Sequence, residues 1–246
     1  MALGTNASSI VLEVCVDSIE SATNAMDGGA RRLELCSALG EGGLTPTIGL
    51  LKTVQRIRGD RVVPMMCLIR CRAGGFVYSS EEVRLMQDDI SALKEAGADG
   101  FVIGALTKNG HIDVEACVKL RMACGDLPVT FHRAFDYSNE PLLVALEKIK
   151  YAGCIRLLTS GRHADIIEGL STLVDLCAAG RDRGITVMPG GGVRVENIAL
   201  ILQQVQPLEI HMSASREIEN LPGMGTRKVV DIELVSRAIS YCASQI

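Results

Sequence analysis

Short β-branched or apolar runs recur along the chain, each followed by a stretch whose apolar residues return every three or four positions. The runs Ile10–Val16, Arg32–Cys36, Val62–Ile69, Gly100–Gly104, Pro128–His132, Ile155–Thr159, Ile185–Met188 and Leu208–Met212 predict eight strands, spaced about one βα unit apart. Helix start signals lie between them. Asp17-Ser18 precedes a helix over Ile19–Asp27, and Thr45-Pro46 places proline in a first turn. Ser79-Ser80 followed by Glu81-Glu82 opens Val83–Ala96 with acids where the helix dipole favours them. Asp113, Asn139, Asp165 and Asn197 can open four more, while Gly28-Gly29, Gly97, Gly153 and Gly180 read as stops.

Such alternation closes as a barrel or lies open as a doubly wound sheet. The open sheet usually carries a glycine-rich turn after its first strand, and here Val14-Cys15-Val16-Asp17 has no glycine. Eight strands within 246 residues fit the barrel. The expectation is a single (β/α)8 TIM barrel over residues 10–246. Met1–Ser9 lacks the basic start and apolar block of a signal peptide and reads as a disordered lead-in.

Strand residues alternate faces. Leu12, Val14 and Val16 share one face of the first strand and leave Glu13, Cys15 and Asp17 on the other; Leu33 and Leu35 oppose Arg32, Glu34 and Cys36 in the second. Helices need an apolar surface, so the polar sets are assigned to the interior. Leu12-Glu13-Val14-Cys15 and Leu33-Glu34-Leu35-Cys36 repeat one pattern, which places Glu13 beside Glu34 and Cys15 beside Cys36. Two interior carboxylates need compensation, and Arg70, Arg72, His132, Glu209 and His211 lie at or near strand ends where they could flank them. The same residues also fit a structural ion-pair layer plugging the barrel. The thiol pair suits a soft ion such as Cu(I), since thiolates select it, and equally fits two buried small hydrophobes. Cys67-x3-Cys71 is a weaker pair.

Later in the chain, strand six ends in Thr159-Ser160-Gly161, strand seven runs into Gly190-Gly191-Gly192, and strand eight is followed by Ser213. Phosphate-binding barrels place that group beside strands seven and eight, and a helix N-terminus favours it. A tight turn without a ligand satisfies the same glycines.

Composition narrows the function classes. The 25 basic and 29 acidic residues give a net charge of −4, and four Tyr, four Phe and no Trp leave little for base stacking, which argues against nucleic acid. The longest apolar run, Val62–Ile69, is interrupted by Pro64 and is far below the ~20 residues of a membrane span. Nine cysteines, an odd number with no CxxC pair, predict a reduced intracellular protein.

With these residues in view, the chain resembles the CutC copper homeostasis family. The matching stretches are LEVCVDS (Leu12–Ser18), GGARRLELCSALGEGGLTP (Gly28–Pro46), DGFVIGALTKNGHID (Asp99–Asp113), LPVTFHRAFD (Leu127–Asp136), LLTSG (Leu157–Gly161), EGL (Glu168–Leu170) and MPGGGV (Met188–Val193). The resemblance implies a (β/α)8 barrel, a dimer or tetramer, a cytoplasmic setting extending to the nucleus in eukaryotes, and Cu(I) binding through cysteines that map onto Cys15 and Cys36. Where family members typically read IRPRGGDF, this chain has Cys71 in place of the proline and Gly75 in place of the acid, with Arg70 and Arg72 kept.

Two functions follow. One is a cytosolic Cu(I) protein using Cys15 and Cys36. The other is a barrel enzyme acting on a small anionic or phosphorylated metabolite. In the enzyme, Glu13 and Glu34 serve as acid and base, Arg70 clamps an anion, and His132 shuttles protons. Arg72, Ser160, Gly161, Gly190, Gly191, Gly192 and Ser213 then surround the anion.

Overall fold

The computed structural model describes residues 10–218 and 226–244; the lead-in over residues 1–9 lies outside them. Eight parallel strands, β1 (Val11–Val16), β2 (Arg32–Leu35), β3 (Met65–Leu68), β4 (Gly100–Ile103), β5 (Val129–Phe131), β6 (Arg156–Thr159), β7 (Thr186–Pro189) and β8 (Glu209–Met212), pair in the order β7-β6-β5-β4-β3-β2-β1-β8. β7 packs beside β8, so the ring is nearly closed. Outside it run α1 (Ile19–Asp27), α2 (Ile48–Arg58), α3 (Ser80–Glu95), α4 (Val114–Cys124), α5 (Leu142–Tyr151), α6 (Leu170–Arg183), α7 (Ile198–Val205) and α8 (Ile232–Ala243). This is the TIM-barrel architecture.

The apolar strand faces lie under the helices. Leu12, Val14, Val16, Leu33 and Leu35 are fully buried in the main core, each contributing roughly 1.5–3 kcal/mol. A separate inner cluster, Cys15, Cys36, Met66, Leu68 and Val102, lines the barrel interior. Facing was therefore legible from parity.

Register was not. Glu13 pairs with Arg32 and Cys15 with Glu34, and across the closing edge Glu13 pairs with His211. The expected neighbours, Glu13 with Glu34 and Cys15 with Cys36, are offset by two positions because strands in a barrel are tilted and staggered. An offset of two keeps every side chain on its face.

Several element boundaries also differ. β3 starts only at Met65: Pro64 has no N–H for a ladder and Val62 is 92% exposed. Ser79 and Glu82 form a reciprocal capping box at α3, and the Asp113 side chain caps α4. Asn139 instead donates across to Asn109 O in the loop before α4, Asp165 accepts from Ile167 N within its own loop, and the helices begin later, at Leu142 and Leu170. Gly180 sits inside α6, which ends at Gly184 with φ 67°. A Cβ at Gly180 would come within 2.6 Å of the Ile185 carbonyl, so glycine serves close approach here rather than a stop.

After β8 the chain forms an antiparallel hairpin, β9 (Ser215–Ile218) with β10 (Arg227–Val230), before α8. It is tied to α1 by Asn24 Nδ2 donating to Val230 O and Val230 N donating to Ser21 Oγ. The hairpin leans over the end of the barrel where the strand C-termini emerge.

Candidate functional site

The barrel interior is polar in two tiers. At the N-terminal end, β2, β6 and β8 direct Arg32, Arg156 and Glu209 inward. Glu209 accepts from the guanidinium groups of both arginines, Arg32 also pairs with Glu13, and Arg156 Nη1 donates to Thr130 Oγ1 at 3.0 Å. Burial alone would push the Glu209 carboxyl up, but its bonds to Arg32 and Arg156 outweigh this and hold it below the usual carboxylate range. This tier is an ion-pair layer such as the sequence allowed, but its cations are Arg32 and Arg156 rather than Arg70 and Arg72, and it claims one oxygen of Glu13.

Above it, nearer the strand C-termini, Cys15, Glu34 and His211 converge. A sulfur, a carboxylate oxygen and a ring nitrogen from these buried residues lie within 4.8 Å of one another. His211 Nε2 is 3.0 Å from Glu34 Oε2 and 3.9 Å from Glu13 Oε1, and the latter oxygen has no hydrogen-bond partner. Burial would lower the His211 pKa, but Cys15 and Glu34 overcome it and raise it well above the ordinary value, so the imidazole is charged. Gly190 makes room for this ring: a Cβ there would lie 3.1 Å from His211 Cβ and 2.5 Å from Leu158 Cδ1.

Cys36 stands beyond the last paired residue of β2, fully inside, with Sγ 3.8 Å from Glu34 O. It is outside the converging trio. Burial first, then the charges of Glu34 and Cys15, push its thiol well above the ordinary pKa.

Trio, Cys36 and the hairpin line a cavity of about 900 Å³ at the mouth. Its other wall carries Arg70, His132, Arg133, Gly191 and Gly192, with Ser213 on the rim. Arg70 does not present a free fork: Nη1 donates to Glu41 O and Gly43 O and Nη2 to Gly74 O, leaving Nε buried and unpartnered. His132 Nδ1 accepts from Ala134 N at 3.1 Å. Burial, and then the Arg70 charge, push His132 down to about 3, so it is neutral with its proton on the unpartnered Nε2.

Ser160 and Gly161 belong to a different arrangement. Asp136 accepts from Thr159 Oγ1, from Ser160 N and Oγ, and from Arg162 N, and pairs with Arg133 at 2.8 Å. The chain's own carboxylate thus fills the β6 part of the expected anion cradle. Arg72 pairs with Glu82 over the Tyr78 ring and lines neither this cavity nor its neighbour. Arg133 and Asp136 escaped sequence reasoning, although both lie in the motif after β5 where barrel sites form. His211 was noted only as a possible neighbour of Glu13.

The fold and mouth define a TIM barrel with a buried thiol–imidazole–carboxylate cluster at the face where such barrels bind ligands. Residues 10–216 match the family model described as CutC family. The chain is 47% identical over 208 residues to a Homo sapiens copper homeostasis protein cutC homolog, covering 85% of this chain and 74% of that one. It is 43% identical over 202 residues to a family protein CutC of Pasteurella multocida, covering 82% and 81%. A solved structure described as a copper homeostasis protein CutC from Streptococcus agalactiae superposes with a TM-score of 0.77 at 33% identity, covering 83% of this chain and 98% of that one. The chain belongs to the CutC family of copper homeostasis proteins.

Proposed function

We propose that this chain binds Cu(I) as its cargo at the barrel mouth, with Cys15 and Cys36 as thiolate ligands and His211 as a nitrogen ligand. The carrying observation is the convergence of Cys15, Glu34 and His211 within 4.8 Å. Sulfur and imidazole nitrogen are the donors that soft, low-coordinate Cu(I) selects. Cys36 shares the inner cluster with Cys15 and supplies a second sulfur once its proton leaves. Glu34 acts through His211, orienting the ring as outer carboxylates do for metal-bound histidines. A cytoplasmic or nuclear setting and a dimer or tetramer complete the reading. All nine cysteines are free, as a reducing compartment requires.

Anaerobic Cu(I) titration of the wild type against Cys15→Ser, Cys36→Ser and the double variant tests the site. Each single change is expected to weaken binding by more than the ~10–100-fold that outer-shell changes cost. Unchanged stoichiometry and affinity in the double variant would remove both sulfurs from the role.

A barrel enzyme acting on a small anion is the second reading. What favours it is a charged His211 held between Glu34 and Cys15 at the floor of a roomy cavity, with a neutral His132 lining the opposite wall.

A further inference from the structure

The mouth is chemically two-sided. The wall from β8, β1 and β2 carries the acids Asp17 and Glu34 and the Cys15 thiol around the His211 imidazole. On the wall from β3, β5 and β7 the unsatisfied buried side-chain atoms are donors: Arg70 Nε and His132 Nε2 have no partner, and among the described residues the Gly191 and Gly192 amides have none. Arg70 is also a cation without a counter-ion. It is 6% exposed, its terminal nitrogens meet carbonyls, and no carboxylate among the described residues lies within ion-pair distance. A buried charge is normally paired. His132 is 5% exposed, and the bond from Ala134 N to Nδ1 leaves Nε2 at the far tip of an inward-facing ring.

Arg133 adds a second cation. Asp136 holds its Nε and Ser160 Oγ accepts from Nη2, leaving Nη1 without a partner among the described residues in a side chain that lines both cavities. Its guanidinium lies flat against Gly191, whose φ is +89° and where a Cβ would come within 2.6 Å of Cζ. A side chain at that position would drive the cation off the amides.

We propose that this β3–β5–β7 wall is a subsite for a small organic oxyanion, a phosphate monoester or a carboxylate, received by Arg70, His132, Arg133 and the Gly191–Gly192 amides. The buried side-chain atoms left open there, Arg70 Nε and His132 Nε2, are both donors, so the missing partner is an acceptor, and the uncompensated guanidinium makes it an anion. Phe76 covers the entrance, its ring 5.0 Å from the His132 ring and 5.2 Å from Arg70 Cζ. Beyond that ring lies an adjoining cavity of about 730 Å³, which Phe76, Arg70 and Arg133 also line. At about 900 Å³, the main cavity has space for an organic body reaching from this wall toward Cys15 and His211. The inference goes beyond copper binding and requires no catalysis.

The test uses the full chain, metal-free and at low ionic strength, titrated calorimetrically with inorganic phosphate, malonate and, as an uncharged control, glycerol. Saturable binding of phosphate or malonate, with no response to glycerol, is expected; whichever binds identifies the ester or the carboxylate as the source. Arg133→Met and His132→Phe, each checked for native circular dichroism, should weaken that binding at least ~10-fold, the cost of one charge-assisted bond. If one variant fails to fold, the other carries the test, with the 31P shift of phosphate on the wild type as a second reading. No saturable binding by either anion, an equal response to glycerol, or wild-type affinity in the folded variants overturns the proposal.

Discussion

Glu209 and Glu34 are interior carboxylates of one barrel, and their surroundings differ in kind. Glu209, at the floor, receives two guanidinium groups, and one of these also donates to Thr130. Glu34, one tier higher, shares a single imidazole with a thiol, beside an oxygen of Glu13 that has no partner. In the floor, charge is nearly closed on itself; in the mouth it is left open. Closed networks hold a structure in one arrangement, whereas open ones carry the affinity for something else.

The sharpest way to break this contrast is at Glu209. Glu209→Gln leaves Arg32 and Arg156 facing each other in a buried layer and is expected to cost about 3–5 kcal/mol of stability, read by urea denaturation. Cu(I) stoichiometry of the folded fraction should stay unchanged. Cys15→Ser should do the reverse, lowering copper affinity while leaving the urea midpoint almost in place. If Glu209→Gln abolishes copper binding without loss of stability, the two tiers are one site.

A smaller effect separates the tiers by pH. His211 holds a proton at neutral pH because its pKa is raised, and a metal must displace it. Cu(I) affinity should therefore rise with pH, by up to about tenfold per unit for each proton displaced, with the His211 contribution levelling off once pH passes its raised value and that of the Cys36 thiol continuing above it. A flat profile in anaerobic competition titrations would exclude His211 as a ligand.

An effect confined to acid concerns His132. Its folded pKa is depressed from 6.5 to about 3, so the unfolded chain takes up the proton first. The stability it contributes is intact above pH 6.5 and is lost as pH falls toward 3, at up to about 1.4 kcal/mol per unit. His132→Phe should flatten that part of the stability profile. An unchanged acid limb in equilibrium melts would show that the ring is not held neutral.

How much of this was legible in the sequence depends on the length scale. Recurrent short apolar runs gave all eight barrel strands, and in β1 and β2 the alternation of Leu with Glu and Cys gave their facing as well. Register was invisible, since Glu13 beside Arg32 and Glu13 beside Glu34 share the same alternation and only the closure of the ring chooses between them. The β9–β10 hairpin was missed because Ser215–Ile218 is short, polar and largely exposed. α8 was missed although Asp231 caps it through Glu233 N and Leu234 N. At the site, Cys15 and Glu34 were found by their repeat, while Arg133 and Asp136 carried no periodic signal and became visible only once β5 and β6 were seen side by side.

Glu13 belongs to both tiers: one oxygen grips Arg32 below, and the other looks toward His211 above. A single side chain thus joins scaffold to load. A ligand bound in the upper chamber would alter the electrical balance that Arg32 senses beneath it, and the barrel's resistance to heat would then report whether that chamber is filled.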